Sequence, residues 1–499
     1  MKSDICLVLE GTYPYVAGGV SSWVHDLLRG LGDRRFSLLH LGPRPGVYGE
    51  PRYTLPANVT ELVEQHLNDA VMTPSPVERA QLRGQLERRI RQARRSRSNP
   101  SKTLAAIRRL HLDDAVDNEL IGGLAANDLT LDQLLYGDDV FQAITEIYRA
   151  CAATTSFLEF FWHFRSMHVP LVRVLSTPLP DASVFHSVST GYAGALAAIA
   201  SRRTGRPMLL TEHGIYARER ELELARASWI AEPATDPRMP PLATSPLRRF
   251  WSRFFRALSR IAYHQAASII TLSEVNRTKQ LADGAAPQRT SIIANGVDLS
   301  AVPRREIEPR TAPVRVGFVG RVVPIKDVVT LIKACDLAAR HANITTLIIG
   351  PAEEDPSYAA RCRDLVTTLG RTDDILFVGP RPADQVYREL DIVVLTSFSE
   401  GQPLVILEAH AAGLPVVASD VGACREMLEG REGVDRHFGP SGIVTRVASP
   451  QETASAIVRL ARDPELRQRF GEAGRERVRT SYTRARMLEG YRVLYARLA

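Results

Sequence analysis

"IVVLTSFSEGQPLVILEAHAAGLPVVASDVG", Ile392 to Gly422, is the stretch on which the architecture turns. An uninterrupted apolar run, Ile392 to Leu395, gives way to a polar loop, a helical pattern and a second apolar run, Val416 to Ala418. Strands without polar alternation are buried on both faces, and such strands joined by helices build parallel sheets covered on both sides. Outward from this point the same rhythm recurs at Val314–Val319, Thr345–Ile349, Ile375–Val378 and Ile443–Val444. In the first half it recurs at Asp4–Leu9, Phe36–Leu41, Ser183–His186, Pro207–Thr211, Ser268–Thr271 and Thr290–Ile293. Two series predict an α/β protein of two doubly wound domains, expected over residues 1–300 and 301–480. The linker is expected near Asp298 to Pro313, which is rich in proline and charge. From about 51 to 180, helical patterns such as Ala105–Leu112 and Leu131–Cys151 replace the expected strands, so this stretch reads as a helical insertion. Residues 481–499 end in a helix, Arg484–Leu498, expected to cross back onto the first domain.

Composition excludes several classes. With 44% apolar and 24% charged residues in 499, the chain suits large soluble cores rather than disorder. No run approaches the roughly 20 apolar residues that span a bilayer, and Gly191–Ala200 reads as a short buried helix. No secretory pattern opens the chain, so a cytoplasmic location is expected. Five scattered cysteines without metal spacing read as reduced thiols. The net charge of +7 is concentrated between Arg79 and Arg109, but few aromatics and no nucleic-acid-binding motif accompany it. That stretch therefore reads as a solvated helix face or a surface drawn to anionic lipid or a membrane-bound partner, and no nucleic acid is expected.

Open parallel sheets bind ligands beyond the carboxyl ends of their strands, which directs attention to the strand-to-helix loops. In Ser397–Gly422, Glu400 and Glu408 are separated by seven residues, with Gly401 and Pro403 between them. Pro403 suits the first helical position, which puts Glu400 just outside a helix and Glu408 within it. Exposed amides around Gly401, Gln402 and Leu404 would form a positive dipole end for a hydroxyl or phosphate, and Glu408 would accept from a ribose diol. The alternative makes Glu400 a helix cap and Glu408 a surface charge; the glycine, proline and strand context favours function. At the start of the chain, Gly18 and Gly19 follow the first strand, where either a phosphate approaching the backbone or a simple tight turn explains them.

"EGQPLVILE", together with "GFVGRVVPIKD", "IANGVD", "VFHS" and the opening "GGV", resembles the retaining glycosyltransferases of family four, which have the GT-B fold. The resemblance spans essentially the whole chain. "TEHGIYARERELEL", "LEGTYPYVAGGVSSWVHDLL" and the helical insertion further resemble the PelF group, cytosolic glycosyltransferases of Pel exopolysaccharide synthesis. The resemblance implies two Rossmann-like domains facing a cleft. It gives Arg321 and Lys326 the donor diphosphate, Gly18 and Gly19 the same diphosphate from the other domain, and His213 a place beside the reacting carbon. It places the nucleobase at the loop of Pro380, Arg381 and Pro382, read mostly by main-chain atoms. The implied catalytic set is His213, Glu400, Arg321 and Lys326, with Gly401, Gln402, Pro403, Leu404 and Glu408 binding substrate. Tyr216, Arg218 and Glu219 belong to the PelF-like stretch without an assigned task.

The implied reaction moves a hexose from a UDP-sugar, UDP-glucose favoured, to a growing exopolysaccharide. The UDP-sugar is a co-substrate and no other cofactor is expected. No Asp-x-Asp pair or clustered metal site appears in the sequence, so no metal is expected either, and fixed cations stand in for one. No carboxylate nucleophile stands out, which leaves a front-face route with retention. The Pel resemblance also implies an inner-membrane synthesis complex as partner, with peripheral attachment to it. Two alternatives keep the scaffold: a nucleotide-sugar epimerase, and a non-catalytic nucleotide-sugar-binding subunit of a membrane complex. A dinucleotide oxidoreductase fits less well, because neither half shows Gly-x-Gly-x-x-Gly after its first strand. Finally, "RRFWSRFFRALSR", Arg248 to Arg260, spaces Phe250, Trp251, Phe254, Phe255 and Leu258 as one helical stripe among arginines. A membrane-surface helix has this pattern, but the strand that follows favours core packing.

Overall fold

A computed structural model describes residues 2–68, 87–90, 93, 101–227, 229–230, 245–302 and 313–498. Much of the basic stretch Arg79–Arg109 and residues 303–312 of the expected linker lie outside the described residues. The chain divides into two compact units. One comprises Met1–Thr271, Thr278–Ser291 and Arg492–Ala499, and the other Leu272–Arg277 and Ile292–Tyr491.

The first unit is built on strands β1 (Ser3–Glu10), β2 (Phe36–Gly42), β3 (Val59–His66), β4 (Ala182–Ser187), β5 (Met208–Glu212), β6 (Ser268–Thr271) and β7 (Thr290–Ile292), in the sheet order β3-β2-β1-β4-β5-β6-β7. β1 pairs in parallel with both neighbours, Ile5 opposite Phe36 on one side and Val184 on the other. Ile5 to Leu9 are all buried, as a central parallel strand requires. Helices α1 (Gly19–Gly30), α2 (Lys102–Leu112), α3 (Asn118–Ala126), α4 (Leu131–Tyr136), α5 (Asp138–Cys151), α6 (Phe157–Leu175), α7 (Tyr192–Thr204), α8 (Tyr216–Arg226), α9 (Pro246–Gln265) and α10 (Glu274–Ala282) accompany it, α10 dividing between the units.

Within 51–180 the helical reading needs one correction, because β3 is a strand there. Its glutamates, Glu61 and Glu64, interrupt the apolar run, and Glu61 is exposed. An edge strand carries such residues because the sheet covers it on one side only. From α2 to α6 the insertion is helical, with the Leu131–Cys151 pattern broken at Gly137 into two helices. α7 is buried from Tyr192 to Ser201. In α9, Phe250, Trp251, Phe254, Phe255 and Leu258 all face the core; Phe250 stacks on His111 at 4.4 Å and packs against Phe160 at 4.9 Å. The aromatic stripe is packing, not a membrane face.

The second unit holds β8 (Val314–Val319), β9 (Ile344–Ile349), β10 (Ile375–Gly379), β11 (Ile392–Leu395), β12 (Val416–Ser419) and β13 (Gly442–Thr445), all parallel, in the order β10-β9-β8-β11-β12-β13. Its helices are α11 (Val328–Ala339), α12 (Pro356–Thr368), α13 (Ala383–Glu389), α14 (Leu404–Ala411), α15 (Cys424–Glu429), α16 (Pro450–Arg462), α17 (Pro464–Ser481) and α18 (Arg484–Leu498). Both halves are therefore doubly wound α/β sheets. α18 is shared: residues to Tyr491 group with the second unit, and those from Arg492 with the first, where Tyr495 and His186 share a 2.7 Å hydrogen bond. All five cysteines are unpaired, and no helix among the described residues is long and apolar enough to cross a membrane.

Candidate active site

In the second unit, sequential strands are added outward on one side of β8 and then, from β11, on the other. The loops leaving β8 and β11 consequently diverge, and such a switch point opens a crevice at the strand ends. Arg321 and Lys326 follow β8, and Glu400 follows β11. Phe398 N–H donates to the Ile325 carbonyl at 2.9 Å, and Thr396 Oγ1 donates to the carbonyls of Asp327 (2.9 Å) and Lys326 (3.2 Å), so the two loops are stitched together at their bases. Asp327, left-handed at φ 46°, turns the chain and caps α11 by accepting from Thr330 N–H. Lys326 Nζ is thereby brought to 2.6 Å from Glu400 Oε1, which also accepts from Ser397 Oγ at 2.6 Å. The pair is largely shielded, at 20% and 10% side-chain exposure. Gly422 closes the loop from behind: at φ 52° it takes a left-handed turn, and a Cβ there would stand 2.0 Å from the Glu400 carbonyl oxygen.

Arg321 lies in the same loop, ion-paired with Glu354 at 2.6 Å, both side chains about half exposed. Exposed pairs contribute at most about 1 kcal/mol, so this guanidinium is available to a stronger anion. Glu408 sits one turn into α14 and accepts from Tyr387 Oη at 2.5 Å. Burial and that carboxylate push the Tyr387 phenol well above its usual range, which keeps it protonated as the donor.

Two expectations, at Pro403 and Gln402, are corrected here. Pro403 is the N-cap of α14 rather than its first residue, and the helix begins at Leu404. The Gln402 residue is not exposed: at 4% exposure its Oε1 accepts from Asn295 N–H at 2.6 Å and its Nε2 donates to the Leu272 carbonyl at 3.2 Å. This amide ties three loops together, because buried amides are retained where both ends find partners. Arg381, at the end of the outermost strand β10, turns back onto Glu389 at 2.9 Å. Gly401 accepts from Ala423 N–H through its carbonyl at 2.9 Å, and Gly401 and Leu404 are partly exposed.

The first unit has its own switch point between β1 and β4. Gly18 is the N-cap of α1 in an extended conformation, φ 166°, with no protein atom within 4 Å of a Cβ placed there. At Gly18 itself the backbone makes no demand for glycine. Gly19 begins the helix; no side chain caps it, and its first turn carries no acid. Such a helix end leaves amides suited to an anion. From the same helix, Trp23 meets His213 edge to face at 4.6 Å. Burial holds His213 at a pKa of about 4, so the ring is neutral, and its buried Nε2 has no hydrogen-bond partner among the described residues.

Residues of the stretch Thr211–Leu224 take scaffold positions. Tyr216 Oη donates to Glu10 Oε1 (3.1 Å) and its N–H to Glu212 Oε1 (3.2 Å). Glu212 also accepts from Tyr263 Oη, Gln280 Nε2 and Thr190 Oγ1 at 2.7, 2.9 and 3.1 Å. Arg218 pairs with Asp283 at 3.6 Å, and the Glu219 carboxylate lies against Gly214. Sequence reasoning passed over Ser397, Thr396 and Tyr387. The first two were legible as hydroxyls at the end of β11, whereas Tyr387 looks like any apolar position of α13.

Residues 3–288 match the family described as Domain of unknown function (DUF3492), and residues 303–477 match Glycosyl transferases group 1. The D-inositol 3-phosphate glycosyltransferase of Corynebacterium glutamicum (strain R) is 32% identical over 242 residues, covering 44% of this chain and 56% of that protein. The chain spans about half the length of the curated relatives it matches. Among solved structures, Anabaena HepE in complex with UDP and glucose has a TM-score of 0.57 at 15% identity, over 99% of each chain. Sucrose-phosphate synthase from Thermosynechococcus elongatus has a TM-score of 0.59 at 16% identity, again over 99% of each. Likeness at these identities is one of fold, the GT-B pairing of two Rossmann-like halves. Because the first match takes in more than half of the residues, the chain belongs to the family described as Domain of unknown function (DUF3492), with a glycosyl transferases group 1 domain following it.

Proposed function

We propose that the protein is a retaining glycosyltransferase that moves a hexose from a UDP-sugar, preferentially UDP-glucose, to a growing Pel-type exopolysaccharide. The observation that carries this reading is the meeting of Lys326 and Glu400 at 2.6 Å on the two loops that flank the switch point, with Arg321 on the first of them. The diphosphate of the donor lies on Arg321 and Lys326, which neutralise the charge that builds as it leaves. Glu408 accepts from the ribose and Glu400 from the sugar, while main-chain atoms near Arg381 meet the uracil. In the first unit, the uncapped start of α1 at Gly18 and Gly19 has the local properties of an anion site, and neutral His213 can donate to a sugar hydroxyl. The names of relatives, a D-inositol 3-phosphate glycosyltransferase and a HepE complex holding UDP and glucose, agree with this class of substrate.

In the proposed step the bond from the anomeric carbon to the diphosphate oxygen breaks on the face from which the acceptor oxygen arrives. The new glycosidic bond forms there, and the acceptor proton passes to the departing diphosphate. The anomeric configuration is retained. No cofactor or metal is required, the cations serving instead, and an inner-membrane synthesis complex supplies the acceptor chain and holds the protein at the membrane periphery.

The test is incubation with UDP-glucose, other nucleotide sugars and oligosaccharide acceptors, with chelator present, following UDP release and the product's anomeric configuration by NMR. Transfer from UDP-glucose with an α-linked product is expected. An isomerised donor without acceptor would instead establish an epimerase, and binding without turnover a sensing subunit.

A further inference from the structure

Two hydroxyls follow β11, and each braces a different part of the Lys326–Glu400 pair. Thr396 Oγ1 donates to main chain, the carbonyls of Asp327 and Lys326. Ser397 Oγ donates instead to a side chain, reaching Glu400 Oε1 at 2.6 Å. Both residues are buried, so neither hydroxyl exchanges freely with water. The nearby Cys424 thiol, pushed well above its usual range by burial and then by Glu400, stays neutral and adds no charge to the pair.

The two donors that reach Glu400 use the same oxygen. Ser397 Oγ and Lys326 Nζ each stand 2.6 Å from Oε1, while Oε2 takes no hydrogen bond among the described residues. A carboxylate oxygen has room for about two donors, so Oε1 is filled and Oε2 is the atom left for a ligand. The last torsion of a glutamate is broad when nothing holds it. Lys326 alone does not fix it, because an ammonium on a flexible stem is a point charge that follows the carboxylate as it turns. The serine hydroxyl is different: its side chain is short and buried, and with Lys326 it holds Oε1 from a second direction.

We infer that Ser397 is a positioning residue for donor specificity: by holding Glu400 Oε1 it presents Oε2 to a hydroxyl of the hexose at one fixed place. The inference rests on the sugar-transfer reading, in which Glu400 meets the sugar. A carboxylate fixed in this way accepts from a hydroxyl in one configuration. When an epimer or a deoxy sugar moves or removes that hydroxyl, a shielded charge is left without its donor, and the wrong donor is rejected. A carboxylate free to turn would follow the hydroxyl and lose the distinction. UDP, which lacks the sugar, makes no use of Glu400 in this reading and so reports on the rest of the site.

Calorimetry on the full chain tests it with UDP, UDP-glucose, its C4 epimer UDP-galactose, and the 3-deoxy and 4-deoxy analogues of UDP-glucose. The quantity read is the affinity ratio between the tightest and the weakest of the four UDP-sugars. In Ser397→Ala that ratio should shrink at least about tenfold, while affinity for UDP stays within about twofold of normal. Thr396→Val, which removes the neighbouring hydroxyl that bonds main chain, should keep the ratio. An unchanged ratio in Ser397→Ala overturns the inference, as does a loss of UDP affinity equal to that of the UDP-sugars, which would mark general damage. Equal narrowing in Thr396→Val overturns it too, because the effect would then come from a loosened strand end. A wild-type protein that binds none of these nucleotides defeats the sugar-transfer reading and this inference with it, whereas UDP binding with an unchanged ratio defeats the role of Ser397 alone.

Discussion

Lys326 Nζ and Glu400 Oε1 stand 2.6 Å apart although they lie 74 positions apart in the chain. They meet because β8 and β11, which precede them, are adjacent strands of one parallel sheet. Lys326→Ala removes the cation that the proposed reaction sets against the leaving group and leaves Glu400, a shielded carboxylate, with Ser397 Oγ at 2.6 Å. The expected result is a fall of about 10²–10³-fold in kcat, the usual scale for one electrostatic donor. Steady-state UDP release measures it, and a kcat within threefold of normal would remove Lys326 from the mechanism.

Tyr387→Phe separates donor binding from chemistry. The phenol donates to Glu408, and a hydrogen bond to a charged group is worth about 1.5–3 kcal/mol. The variant should raise KM for the UDP-sugar about tenfold or more with little change in kcat, and Glu408→Ala should abolish turnover. If kcat falls and KM does not, Glu408 acts on the reacting sugar rather than on the ribose.

Two glycine substitutions should behave oppositely. Gly422→Ala adds a methyl 2.0 Å from the Glu400 carbonyl at a left-handed φ, so it should cost about 1–3 kcal/mol of stability and depress activity by moving Glu400. Gly18→Ala meets no atom and needs no unusual φ, so thermal unfolding should shift by less than about 1 kcal/mol. If the start of α1 is the anion site proposed for it, affinity for inorganic phosphate should nevertheless drop, since the methyl would crowd the uncapped amides. Unchanged affinity would release α1 from the binding site.

Acid should destabilise the protein over a defined window. Burial holds His168 at about 4, and His186 and His410 at about 3, against 6.5 for the exposed side chain. Between those values the unfolded chain binds protons that the folded chain refuses. Stability is therefore complete above about pH 6.5 and declines as pH falls towards 4, by up to about 1.4 kcal/mol per pH unit for each histidine. Urea unfolding at pH 7.5, 6, 5 and 4.5 checks the slope; a flat profile would mean that these rings are hydrated.

Central strands were legible because burial on both faces writes a continuous apolar run: Val314–Val319 and Ile392–Leu395 have the bounds that their composition predicts. β3 was not, since an edge strand tolerates Glu61 and Glu64 and so loses the pattern. At the candidate site, Glu400 and Glu408 stood out from their spacing around Gly401 and Pro403. The Gln402 side chain did not reveal its scaffold role, because its partners at Asn295 and Leu272 are distant in the chain.

By itself the amino-acid order determined the strand-and-helix alternation, the two parallel sheets and the polar loops in which chemistry would reside, all of which follow from local periodicity. Only the tertiary structure decided that the loops after β8 and β11 are neighbours, that Tyr387 holds Glu408, and that Ser397 and Lys326 share one oxygen of Glu400. Those relationships depend on the order in which strands join a sheet and on which helix faces meet. Both are settled by the joint packing of segments far apart in the chain, which no single stretch of residues encodes.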